Sequence, residues 1–414
     1  MAIGPGTKER LMDVVSSCRN EILDFTKSLI QVPTENPPGS SYRDCVSVIE
    51  AKLEEIGLES SVLEVPAGRN QNPRNGRIQS ESAYCLMSFY GTGPRTLYFH
   101  GHYDVVPAAT PRQFKPLLKG DRLFGRGSAD MKAGLAAMIY AVKAIKACNL
   151  RLNGRIGLAI VPDEETGGLR GSHDLAASGK LGKDGIGMFT AEPTGGAIWN
   201  ACRGAISLRV TVKGKPSHVG LHFWGVNSFE KMLGVANKLM ELKQRVESRK
   251  TAFKIEPDEA RNSILLIGGE CQGGASFNTV PAQCCFTVDR RINPEEDLGA
   301  EKERLLELFD RFRKDGTELE VETLQEARAA GFSEDDPVAR ALSTSIEAVT
   351  GKAPSFEMCP GLLETRFYAE QGVPAFAYGP GQLSAAHGPD ESVALEDIYA
   401  CAAVYALAAA ELLA

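Results

Sequence analysis

The sequence contains no Cys-x-x-Cys pair. Its ten cysteines are scattered through the chain, only Cys284 and Cys285 being adjacent. That spacing argues against both a thiolate zinc site and a disulfide framework, so most should be buried thiols. No run approaches the roughly 20 uninterrupted apolar residues of a bilayer span. The opening MAIGPGTKERLMDVV lacks the basic-then-apolar layout of a secretory leader, and a cytoplasmic location is expected. There is no long basic stretch, and 46 Lys and Arg against 53 Asp and Glu leave a net charge of −7. Nucleic acid and anionic membranes are therefore not expected as partners, and a small molecule is. At 43% hydrophobic and 24% charged residues over 414 positions, disordered, collagenous and coiled-coil classes are excluded. Two or three domains are expected from the length.

What is present alternates. Amphipathic stretches over 18–30 and 43–56 flank the turn-rich VPTENPPGSS, and short apolar runs follow at TLYFH (96–100), RIGLAIV (155–161), IGMFTA (186–191) and PAFAYG (374–379). Between the first two runs, apolar residues at 131, 135, 138, 139, 142 and 145 predict a helix long enough to cross over a sheet. This is the texture of an α/β layer fold. From about Arg203 the order becomes β-α-β-β-α-β, a ferredoxin-like unit, and the helix-forming segments 339–349 and 395–413 return to the first texture. The expected architecture is an α/β domain with a mixed sheet flanked by helices, over 1–200 and 326–414, interrupted by an α+β domain over 201–325.

The acidic and imidazole residues fall where those strands end. TLYFH runs into GHYDVVP, the 155–161 strand into PDEETGG, the 186–191 strand into EPTGG, and PAFAYGP precedes SAAHGPDE. Ligands of open α/β sheets bind outside the carboxyl ends of the strands. His102, Asp130, Glu164 or Glu165, Glu192 and His387 are thus expected to converge on one edge. Residues i and i+2 of an extended segment share a face, so Asp104 can accept an imidazole N–H of His102 and leave the other nitrogen for a metal. Glu164 and Glu165 must point apart, one able to ligate while the other faces water as a base. Two imidazoles and three carboxylates can hold two metals about 3.5–4 Å apart if one carboxylate bridges. An N/O set without thiolate suits zinc, or cobalt or manganese in its place. Each residue alone has a plainer reading: Asp130 as a helix N-cap, the acidic pair as a solvated turn, His387 as a loop residue. Their joint placement at strand ends outweighs these.

HGHYDVVP, GRGSADMKAG, PDEETGG, AEP and AHGPDE, in that order, resemble the signature of a metallohydrolase family. It includes acetylornithine deacetylase, succinyl-diaminopimelate desuccinylase, aminoacylase-1 and glutamate carboxypeptidases, and the resemblance covers nearly the whole chain. It implies that His102 and Glu192 bind one metal, Glu165 and His387 the other, that Asp130 bridges, and that Glu164 is the general base. It implies that the inserted domain is a lid or dimerisation domain whose His218, in GKPSHVG, reaches the site of the other subunit of a homodimer. Asn278 would orient substrate and Arg291 of VDRRI would grip a substrate carboxylate. His222 is a rival to His218, and Arg290 or Arg291 could instead pair with a neighbouring acid. His100 reads as a packed or hydrogen-bonded residue, and nothing singles out His173.

One departure stands out. Where relatives carry a Gly-Thr-Ser-Asp-x-Arg-Phe-like stretch near the substrate, this chain has GLLETRF (361–367), with Glu364 for Asp, apolar Leu362 and Leu363, and Arg366 retained as an anion binder. The reaction implied is hydrolysis of an amide-type C–N bond, as of an N-acyl amino acid, by a metal-bound hydroxide. Two alternatives stand beside it: a deaminase or decarbamoylase of an unusual, aromatic substrate, favoured by the apolar loop, and a non-enzymatic metal-containing subunit. Retention of an unligated Glu164 argues against the latter.

Overall fold

The computed structural model describes residues 3–67 and 81–414. The chain divides into two compact units: residues 1–200, 332–357 and 364–414 form one, and 201–331 with 358–363 the other.

The first unit is built on a mixed sheet. Its strands lie in the order Ser60–Val65, Ala83–Thr92, Gly154–Val161, Thr96–His102, Gly185–Thr190, Ala375–Ala377 and Ile198–Cys202. Gly154–Val161, Thr96–His102, Gly185–Thr190 and Ala375–Ala377 run parallel, while the remaining pairings are antiparallel. Thr96–His102 is buried at all seven positions, as a parallel strand covered on both faces must be, and it therefore reads as a short apolar run rather than an alternating one. Helix Lys132–Ala147 is apolar around most of its circumference because it lies between this sheet and helix Leu395–Leu413. Two glycines permit its close approach. A Cβ on Gly101, between His100 and His102, would sit 2.6 Å from Met131 Cε; one on Gly134 would sit 2.5 Å from the carbonyl oxygen of Ala191, next to Glu192. No helix of the described residues is long and apolar enough to cross a membrane. The ten cysteines are free thiols, eight of them buried.

The second unit has the β-α-β-β-α-β order. Strands Gly204–Lys213, Ile264–Gly273, Gln283–Ile292 and Leu319–Ala327 pair entirely antiparallel, with Gln283–Ile292 and Gly204–Lys213 central. Ile206, Leu208, Val210 and Val212 alternate onto one face and pack against helices Ser228–Glu247 and Leu298–Lys314. Each helix begins at a side-chain cap: Asn227 accepts the N–H of Phe229, and Asp297 that of Ala300. The unit extends to Gly331 and takes in 358–363, so the segment carrying Leu362 and Leu363 packs with it, whereas Glu364 belongs to the first unit.

Candidate metal centre

Three strand ends and two loops of the first unit deliver the donors. His102 closes Thr96–His102, Glu165 follows Gly154–Val161, Glu192 follows Gly185–Thr190, and Asp130 precedes helix Lys132–Ala147. His387 sits ten residues beyond Ala375–Ala377. His102 Nε2 lies 3.1 Å from Asp130 Oδ1 and 3.9 Å from Glu192 Oε1. His387 Nε2 lies 3.2 Å from Asp130 Oδ2 and 3.3 Å from Glu165 Oε2. Two donor groups result, His102–Asp130–Glu192 and Asp130–Glu165–His387, each with its ligand atoms within 4.8 Å of one another. Asp130 belongs to both, one oxygen to each.

The electrostatics call for cations. Burial pushes the carboxyl of Glu192 well above the ordinary carboxylate range, and neighbouring Asp130 adds to this against the opposing His102. Burial likewise raises Glu164, with Glu165 and Glu192 adding to it. His387 is pushed up to about 10 by its hydrogen bonds to Asp130 and Glu165. Glu165 Oε1 is buried and has no hydrogen-bond partner among the described residues. Carboxylates crowded away from water, with one oxygen left unsatisfied, are stabilised when a divalent cation supplies both charge and coordination. The residues present therefore fit metal ions. Glu164 is in neither donor group, and among the described residues its carboxylate accepts no hydrogen bond.

Asp104 differs from expectation in detail. His102 Nδ1 is 3.0 Å from the backbone carbonyl of Asp104 and 3.4 Å from its carboxylate, so the main chain is the nearer acceptor. The carboxylate accepts from the backbone N–H groups of Glu164 and Glu165, each at 3.2 Å, and from Asn36 Nδ2 at 2.9 Å. It holds the PDEETGG turn against the strand carrying His102. Asn36, from the VPTENPPG segment, had no sequence signal beyond its place in a turn-rich run.

Glu364 is also placed differently. It is buried with Oε2 2.6 Å from His100 Nε2, which Ser172 Oγ also approaches at 3.0 Å, while Tyr368 OH meets His100 Nδ1 at 3.1 Å. The longer Glu side chain reaches an imidazole in the core. His100 is thus a hydrogen-bonded, packed residue of the core. Arg366 is buried and donates to the carbonyl of Gly167 at 2.8 Å, beside the acidic turn. His173 is exposed, 3.8 Å from Asp174.

In the second unit, His218 and Asn278 lie side by side: the N–H of Val219 bonds the carbonyl of Asn278, and His218 bridges to Thr279. His218 is exposed, and its Nδ1 accepts the N–H of Gly220 at 3.1 Å. A neutral ring held this way carries its proton on Nε2. His222 is exposed too, on the short helical turn Val219–Trp224. Arg290 is buried against Glu296 and Glu301, at 2.6 and 3.0 Å, and is structural. Arg291 is partly exposed; it bonds Asp289 at 2.9 Å.

A mixed α/β sheet with two N/O donor groups clustered beyond its parallel strands defines a metal-binding α/β protein. The sequence profile of peptidase family M20/M25/M40 matches residues 98–411, and the chain belongs to that family. Over 300 residues it is 29% identical to a probable succinyl-diaminopimelate desuccinylase of Staphylococcus aureus (strain MRSA252), covering 67% of this chain and 69% of that one. Over 360 residues it is 25% identical to aminoacylase-1 of Sus scrofa, covering 83% of each. Among solved structures, the di-peptidase Dug1p of Saccharomyces cerevisiae shares the fold, with a TM-score of 0.76 over 98% of both chains at 16% identity. The chain is accordingly a metal-dependent hydrolase acting on C–N bonds.

Proposed function

We propose that the chain hydrolyses an N-acyl amino acid or a related small amide bearing a carboxylate, at two divalent ions, with Glu164 as general base. One observation carries this reading: Asp130 turns its two oxygens to two separate donor groups while Glu164 stands outside both. His102 and Glu192 would hold one ion, Glu165 and His387 the other. The thiolate-free set suits zinc, with cobalt or manganese as substitutes. When bound, the ions would polarise the scissile carbonyl and acidify water.

The chain's own residues do the rest. Glu164 takes the proton of the attacking water and passes it to the leaving nitrogen, a two-way role suited to a carboxylate that is near the water but not a ligand. Burial favours its protonated form once it has taken the proton. His218, an Nε2–H donor, would stabilise the developing oxyanion from a second copy of the chain, which makes the working unit a homodimer. A cytoplasmic location goes with this reading. Leu363 is buried, so the loop presents less apolar surface than its sequence suggests, and the acyl reading is preferred to the aromatic one. Hydrolysis assays of the metal-loaded protein on N-acyl, N-carbamoyl and aminoaromatic acids test this. Turnover confined to the last two groups would overturn it.

Arg291 bonds one acid through Nη2, and its other donors have no partner among the described residues, which suits it to a substrate carboxylate. Arg291→Ala should raise KM strongly for an acidic substrate and much less for its amide or ester. Equal loss on both would make the arginine structural. For His218→Ala we expect intact metal content and kcat lowered by roughly 10²–10³, the effect of one lost oxyanion donor. Mixing it with Glu164→Gln should recover activity, since one hybrid site then has both groups intact. If subunits demonstrably exchange and no activity returns, His218 does not act from a second copy.

A further inference from the structure

Two of the proposed ligands, Asp130 and His387, come from loops, and one buried ion pair holds both loops. Strand Arg122–Phe124 pairs antiparallel with Ser392–Ala394, which brings Arg126 and Glu391 together just beyond the strand ends. They are 2% and 1% exposed, with Arg126 Nη1 2.5 Å from Glu391 Oε2. Glu391 Oε1 accepts the backbone N–H groups of Ala129 and Asp130 at 2.9 and 3.1 Å. Arg126 Nη2 donates to the carbonyl of His387 at 3.1 Å, and Nη1 to that of Gly388 at 3.3 Å.

His387 needs such a hold. Its φ of 62° lies in the left-handed region, which residues with a Cβ rarely occupy unless their surroundings impose it. Its side chain is half-exposed, so packing does little to orient the ring. His102 differs: it is almost fully buried and ends a strand paired along both sides.

We infer that Arg126 and Glu391 are positioning residues that set the affinity of the second metal position, Asp130–Glu165–His387, through the backbone of His387, the one loop ligand that belongs to that position alone. The inference rests on the two-ion reading above. A guanidinium is required because its planar fork reaches a carboxylate and the carbonyls of Pro107, His387 and Gly388 at once. An ammonium has the charge without the fork.

The test is titration of the full-length, chelator-stripped chain with cobalt(II), followed by calorimetry and visible absorption. The unaltered chain should take two ions. Arg126→Met should bind the second ion roughly 10–100-fold more weakly, the usual effect of losing an outer-sphere partner, and the first as before. That substitution leaves the Glu391 carboxylate buried and unpaired, which alone can impair folding. The double variant Arg126→Met with Glu391→Gln buries no lone charge and should show the same selective loss. Arg126→Lys should not restore the second ion. Equal weakening of both ions, an unchanged titration in the double variant, or full rescue by lysine would overturn the inference. An unaltered chain that takes a single ion, insensitive to His387→Ala, would instead remove the two-ion reading itself.

Discussion

Glu164→Gln is expected to keep both metal ions and its fold while kcat falls by roughly 10²–10⁴, the usual contribution of a general base. That range corresponds to about 3–5 kcal/mol of lost transition-state stabilisation. The substitution is nearly isosteric and removes only the ability to accept a proton. Because Glu164 lies in neither donor group, metal content should not move. Metal analysis beside steady-state kinetics checks both halves. A variant with near-normal kcat would show that another group deprotonates the water, and one that loses metal would make Glu164 a ligand.

The second large effect is on metal binding. Asp130 faces His102 through Oδ1 and His387 through Oδ2, so Asp130→Ala removes a ligand from both positions at once. Both ions should be lost, each by more than the ~10–100-fold that removal of an outer-sphere partner costs. Glu192→Ala leaves Asp130, Glu165 and His387 in place and should lose mainly one. The difference is also visible in thermal stability. An ion present at about 100 times its Kd stabilises the folded chain by about 2.7 kcal/mol, so Tm of the unaltered protein should drop on adding a chelator. Tm of Asp130→Ala should barely respond. A chelator-sensitive Tm with two retained ions in that variant would dismiss the bridge.

Much of the candidate centre was legible because its signals are local. His102 and Asp104 lie two apart at a strand end, Glu164 and Glu165 follow an apolar run, and Asp130 opens a helix whose apolar spacing is plain. Periodicity registers each of these, and the rule that ligands gather at the carboxyl ends of parallel strands joins them. The two antiparallel strands Ser60–Val65 and Ala83–Thr92 gave less to read: much of the first is only partly buried and the second ends exposed, so neither is a clean apolar run.

The sequence by itself pointed to an α/β texture, an α+β insertion and a set of N/O donor candidates, since these follow from side-chain chemistry and hydrophobic spacing within a few residues; the choice between Glu164 and Glu165 came from the family resemblance. Tertiary structure decided the partners. Glu364 meets His100 across 264 positions and Arg126 meets Glu391 across 265. Asn36 and the backbone of the acidic turn, rather than His102 alone, occupy the Asp104 carboxylate. Such pairings depend on where the chain returns after long excursions and on which buried polar atoms remain to be satisfied there. Local periodicity carries no record of either.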